Sequence, residues 1–67
     1  MKLGMNEAIA QAIDTGNARL AGIIADKLRM HGFTYARVLA RVREHRPNVS
    51  DAQWEDLMCE ADALASQ

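Results

Sequence analysis

The sequence predicts an all-α fold: a small bundle of three or four short helices making one domain over residues 1–67. Three observations carry that expectation. Apolar residues recur at helical spacing, most clearly Tyr35, Val38, Leu39 and Val42 at i, i+3, i+4 and i+7. Breaker-rich stretches separate the periodic ones: Asp14-Thr15-Gly16-Asn17, His31-Gly32-Phe33-Thr34 and Pro47-Asn48-Val49-Ser50. The 49% apolar content is mostly Ala, Leu, Ile, Val and Met, with one Trp, one Tyr, one Phe and one Pro. That composition suits helix packing better than a β-sandwich.

In chain order, residues 1–5 read as a lead-in and Asn6 as the N-cap of a first short helix, NEAIAQAID. Met5, Ala8, Ile9, Ala12 and Ile13 form its apolar face. So short a helix is marginal in water without tertiary support. Four poor helix formers in a row, Asp14 to Asn17, predict a break. The alternative is one long helix with a weak point at Gly16, because the apolar phase runs unbroken from Ile9 and Ile13 to Leu20 and Ile24.

A second helix is expected from about Ala18 to His31, with Leu20, Ile23, Ile24, Leu28 and Met30 around a broad buried arc. Gly32 follows as the residue that takes positive φ after the helix, and Lys27, Arg29 and His31 complement the C-terminal end of its dipole. The third helix, Thr34 to Arg46, has Thr34 as N-cap, Phe33 and Val38 as a hydrophobic staple, and Pro47 as its stop. Its stripe is backed by Arg37, Arg41 and Glu44 on the other face, and Arg43, His45 and Arg46 suit its C-terminus. The fourth has the clearest start: Ser50 and Gln53 in an S-x-x-Q capping box, with Val49 and Trp54 as a second staple. It runs to about Ala65, with Trp54, Leu57, Met58, Ala61, Leu64 and Ala65 inward and Glu55, Asp56 and Glu60 outward. The expected core is Leu20, Ile23, Ile24, Leu28, Phe33, Val38, Leu39, Val42, Trp54, Leu57, Met58 and Leu64.

The net charge of −1 is unevenly spread. Residues 27–46 carry Lys27, Arg29, Arg37, Arg41, Arg43 and Arg46 against Glu44; residues 47–67 carry Asp51, Glu55, Asp56, Glu60 and Asp62 with no base. No apolar run approaches the roughly 18 residues of a membrane span, and MKLGMNEA lacks a signal peptide's apolar centre. With a single cysteine and no Cys/His spacing for zinc, the expected setting is a reduced cytoplasm, without membrane or cofactor. His31, His45 and Cys59 stand on three different elements with no ligand spacing, so helix-end and surface roles account for them. The acids of residues 51–62 read as a solvated helix face.

The second and third helices, joined through Gly32, have the outline of a helix-turn-helix, with Thr34, Tyr35, Arg37 and Arg41 at the front of a recognition helix. Lys27 and Arg41 stand where that motif usually has apolar residues, and Leu28 where it has a small one. Residues 27–65, KLRMHGFTYARVLARVREHRPNVSDAQWEDLMCEADALA, resemble the second half of the Hha/YmoA type of small enterobacterial gene-expression modulators. The likeness lies in Leu39-Ala40-Arg41-Val42 leading to Ser50-Asp51, the apolar spacing after it, and Ala61-Asp62 near the end. It needs gaps and does not extend to residues 1–26. It implies an all-helical protein that acts by binding a nucleoid-associated partner.

The leading expectation is therefore a non-enzymatic regulator that modulates transcription by docking on a larger protein. Tyr35, Arg37, Arg41 and Arg43 are its candidate partner-binding residues. The competing class is a small DNA-binding protein that uses the helix at 34–46. An enzyme ranks last, since no acid, base and nucleophile are spaced to converge. A chain this small without a disulfide gains from self-association, so a homodimer is expected, with Ala52, Cys59 and Ala63 allowing close helix approach.

Overall fold

The computed structural model describes residues 4–67, and among them the chain forms four helices and no strand. They are α1 (Met5–Thr15), α2 (Ala18–Met30), α3 (Tyr35–His45) and α4 (Asp51–Ala65). Of the lead-in expected over residues 1–5, residues 1–3 lie outside the described residues, whereas Gly4 is the N-cap of α1 and Met5 its first residue, so the expectation is corrected there.

Both interhelical breaks in the first half are glycine-terminated Schellman turns. After α1, Gly16 has φ 65° and donates to Ile13 O, while Asn17 donates to Ala12 O at 2.9 Å. After α2, Gly32 has φ 92° and donates to Arg29 O, while Phe33 donates to Leu28 O at 3.1 Å. A side chain with a Cβ is strained at either φ, which is why glycine stands there. The left-handed Gly16 excludes the single long helix.

Side-chain caps start three of the four helices. Asn17 Oδ1 accepts from Leu20 N–H at 3.1 Å, Thr34 Oγ1 from Arg37 N–H at 3.3 Å and Ser50 Oγ from Gln53 N–H at 3.0 Å. Each satisfies one orphan donor and contributes about 0.5–2 kcal/mol. The reciprocal bond from the Gln53 side chain is not formed among the described residues, so the expected capping box is half made. The expected Asn6 cap is corrected: Gly4 occupies that position without a side-chain bond, and Asn6 lies inside the first turn. Its amide oxygen instead accepts from Arg41 Nη2 at 2.7 Å, tying α1 to α3.

The core is richer in alanine than the sequence pattern suggested. Ala8, Ile9 and Ala12 of α1 and Ala18, Ala21, Ile24, Ala25 and Leu28 of α2 are buried together with Val38, Leu39, Val42, Val49, Trp54 and Leu57. Leu20, Phe33, Met58 and Leu64 pack against this cluster half-buried. Two expected members of the buried α2 arc are not inside: Ile23 is 52% and Met30 85% exposed. Neighbouring positions diverge by about 100° on a helix, so with Ile24 pointing inward Ile23 is carried to the flank. The alanines let helices approach closely, and at Gly22 α2 and α4 are so near that an added Cβ would stand 2.8 Å from the Cβ of Ala61.

A second tie joins the end of α3 to the end of α1. Arg46 Nε and Nη2 donate to the two Asp14 oxygens at 2.8 and 2.7 Å. The Arg46 hydrogen bond, against an opposing desolvation and with a smaller contribution from the guanidinium charge, holds the Asp14 carboxyl below its ordinary 3.8. A depressed folded pKa contributes stability above the unfolded value, and that contribution disappears as pH falls through the folded value. The pair is exposed, so its contribution is small. Asp14→Asn is expected to match wild type in acid and fall slightly below it at neutral pH. Urea midpoints at about pH 2 and about pH 7 check this, and an equal deficit at both would contradict it.

Candidate docking surfaces

The arginines of α3 and its C-terminus are mostly committed within the chain. Arg41 Nη1 donates to Glu44 Oε2 at 3.0 Å and to His45 Nε2 at 2.8 Å, in addition to the Asn6 bond. Arg43 Nε donates to Val49 O at 2.9 Å and Nη2 to Asp51 Oδ1 at 2.6 Å, bracing the turn between α3 and α4. Arg46 is held by Asp14. Arg37 is the exception: its guanidinium lies 4.6 Å from the centroid of Phe33 and meets no carboxylate among the described residues. Arg41, expected to be opposed by Glu44 alone, is therefore also an interhelical tie.

Tyr35, expected on the buried stripe, is 48% exposed, because Val38, Leu39 and Val42 already fill the inner face of α3. Partial burial, then the carboxylates of Glu55 and Asp51, push its phenol above the ordinary 10.0. It therefore presents a neutral O–H donor. Tyr35 stands where two grooves meet. One, of about 620 Å³ between α3 and the start of α4, is lined by Tyr35, Ala36, Leu39, Ala40, Arg43, Glu44, Asp51 and Glu55. The other, of about 630 Å³, runs between α2 and α4, with Ile23, Tyr35, Val38, Trp54 and Met58 among its apolar walls. Arg19, Asp26, Arg29 and Asp62 supply its charges, and none of them is in an ion pair among the described residues.

Trp54 is the largest fully buried side chain, and its indole N–H finds no acceptor among the described residues. Ala52, Cys59 and Ala63 are all exposed on α4 and line neither groove. His31 is exposed and His45 half-buried, and no three His, Cys, Asp or Glu side chains of the described residues gather as a metal site would require. No helix of the described residues is long and apolar enough to cross a membrane.

The sequence pattern missed Ala36 and Ala40 as surface residues and Ile23 as a groove wall. Ala36 and Ala40 sit one turn apart on the exposed side of α3, opposite Val38 and Val42. That spacing was present in the sequence, but alanine is compatible with either face. Compared with protein-family models, curated proteins and solved structures, the chain gives no match.

Proposed function

We propose that this chain is a small non-enzymatic protein-binding module that modulates transcription by docking on a larger protein through the open side of α3. The observation that carries the docking surface is the α3/α4 groove, whose lining includes half-exposed Tyr35 and the small, exposed Ala36 and Ala40. Small side chains let a partner's helix approach closely, and a half-exposed tyrosine at the edge is the kind of anchor that interfaces use. Arg37, which meets no carboxylate among the described residues, lies on the same helix and offers the partner a charge. The regulatory part of the assignment comes from the Hha/YmoA likeness alone.

DNA reading by α3 is the weaker alternative. Phosphate binding depends on unneutralised Lys and Arg. Arg41, Arg43 and Arg46 are each already paired with Glu44, Asp51 and Asp14. The hydroxyl of Thr34, at the front of the would-be recognition helix, is spent on the cap.

The test is capture from the native cell lysate in the presence of nuclease. Ala40→Glu places a charge in the groove at an exposed position. It is expected to lower the yield of the captured protein by about tenfold or more without loss of helicity. Equal capture by wild type and a folded Ala40→Glu variant would remove the α3 groove from the function.

A further inference from the structure

We propose that the groove between α2 and α4 is closed in solution by a second copy of this chain, related by a two-fold axis running along the groove. In that arrangement α2 of each protomer lies on α4 of its partner.

Two observations support it. Ile23 and Tyr35, two of the three exposed large apolar side chains among the described residues, line this groove. The charges of its two walls are opposite. Of the charges that line it, Arg19 and Arg29 outnumber Asp26 on α2, and Asp62 stands on α4, a helix that carries no base; none of these four is in an ion pair among the described residues.

A face can meet its own copy about an axis across the groove or along it. Across the groove, α2 falls on α2 and α4 on α4, so like charges meet twice. Along the groove, α2 falls on α4 in both halves, so opposite charges meet twice. A strongly acidic or strongly basic foreign partner would suit one wall and be repelled by the other. A second copy suits both.

The area required is modest. A standard interface takes about 800 Å² from each partner, roughly one-sixth of the 4654 Å² that this chain exposes. A small domain without a disulfide has much to gain from that burial.

The experiment is sedimentation equilibrium in reducing buffer over a concentration series. It compares wild type, the variant Arg19→Glu/Arg29→Glu and the variant Glu55→Arg/Asp62→Arg. Glu55 is two turns before Asp62, on the Met58 face of α4. None of these four side chains is hydrogen-bonded among the described residues, and circular dichroism verifies that each variant is folded. Wild type is expected to dimerise, each variant alone to associate about tenfold more weakly or worse, and their equimolar mixture to recover the dimer. Recovery follows because the reversed α2 then meets the reversed α4 in one half, while native walls meet in the other. Ile23→Glu, at a half-exposed position, is a second probe and should leave a monomer. A wild-type monomer at high micromolar concentration would overturn the proposal. So would variants that dimerise like wild type, which would move the contact to a surface such as Ala52, Cys59 and Ala63, or a mixture that fails to recover.

Discussion

Trp54→Ala is expected to unfold this domain or bring it to the edge of unfolding, at a cost of about 3–5 kcal/mol. Trp54 is 1% exposed and the largest side chain in the core. Its neighbours cannot collapse into the space it leaves, because much of the surrounding core is alanine on helices fixed by short turns. A single core this small seldom supplies more than about 3–5 kcal/mol in total. Trp54→Phe should cost clearly less: it keeps an aromatic ring and removes an indole N–H that has no acceptor among the described residues, a group whose burial costs about 1–3 kcal/mol. Urea unfolding followed by circular dichroism measures both variants. A Trp54→Ala protein with a near-native midpoint would show that the core is not built around this residue.

Gly22→Ala is expected to destabilise the fold by about 1–3 kcal/mol. Helix propensity alone predicts the opposite sign, since alanine is better than glycine in a helix interior by about 0.8–1 kcal/mol. Sterics decide. The new methyl would stand 2.8 Å from Ala61 Cβ, an atom fixed to its backbone, so α2 and α4 must separate. Each kcal/mol lost should lower the melting temperature of so small a domain by about 4–8 °C. Combining Gly22→Ala with Ala61→Gly should restore most of the loss, because the methyl then moves from one helix to the other. A stabilised single variant, or a double variant no better than the single, would contradict the close α2–α4 contact.

Local signals proved to be the legible part of the fold. Ser50, Thr34, Gly32 and Gly16 act within one turn of themselves, through caps and left-handed turns, so their roles do not depend on the rest of the chain. Val38, Leu39, Val42, Trp54 and Leu57 were legible as core because only one inward arc accommodates them. Long-range choices were not legible. Asn6 looked like a cap because its type and place suited one, yet Arg41, thirty-five residues away, claims its oxygen. Arg46 and Asp14 are thirty-two residues apart, and no local pattern pairs them. Ile23 and Ile24 are chemically alike, and the side of α2 that is covered is settled by where α1 and α4 pack. Ala8 and Ala12 were legible beside Ile9 on the apolar face of α1, but Ala18, Ala21 and Ala25, which are buried as well, were not, because alanine has too little apolar surface to declare a face by itself.

The same distinction governs the candidate sites. The basic run of α3 was legible as charge, and so was the Arg41–Glu44 pair one turn apart on the helix, but neutralisation by Asp14 and Asp51 depends on the turns that bring those acids close. Among the α3 candidates this leaves Arg37 as the one cation that meets no carboxylate among the described residues, and Tyr35 at the junction of both grooves.

The most direct test of protein docking by α3 is the affinity of the purified, captured partner and of duplex DNA for wild type and for Arg37→Glu/Ala40→Glu across a salt series. The account predicts measurable binding to the partner that the double variant loses by about tenfold or more, with only weak DNA binding. Tight DNA binding whose logarithm falls steeply with salt, and whose slope the variant reduces by about 1, would contradict it.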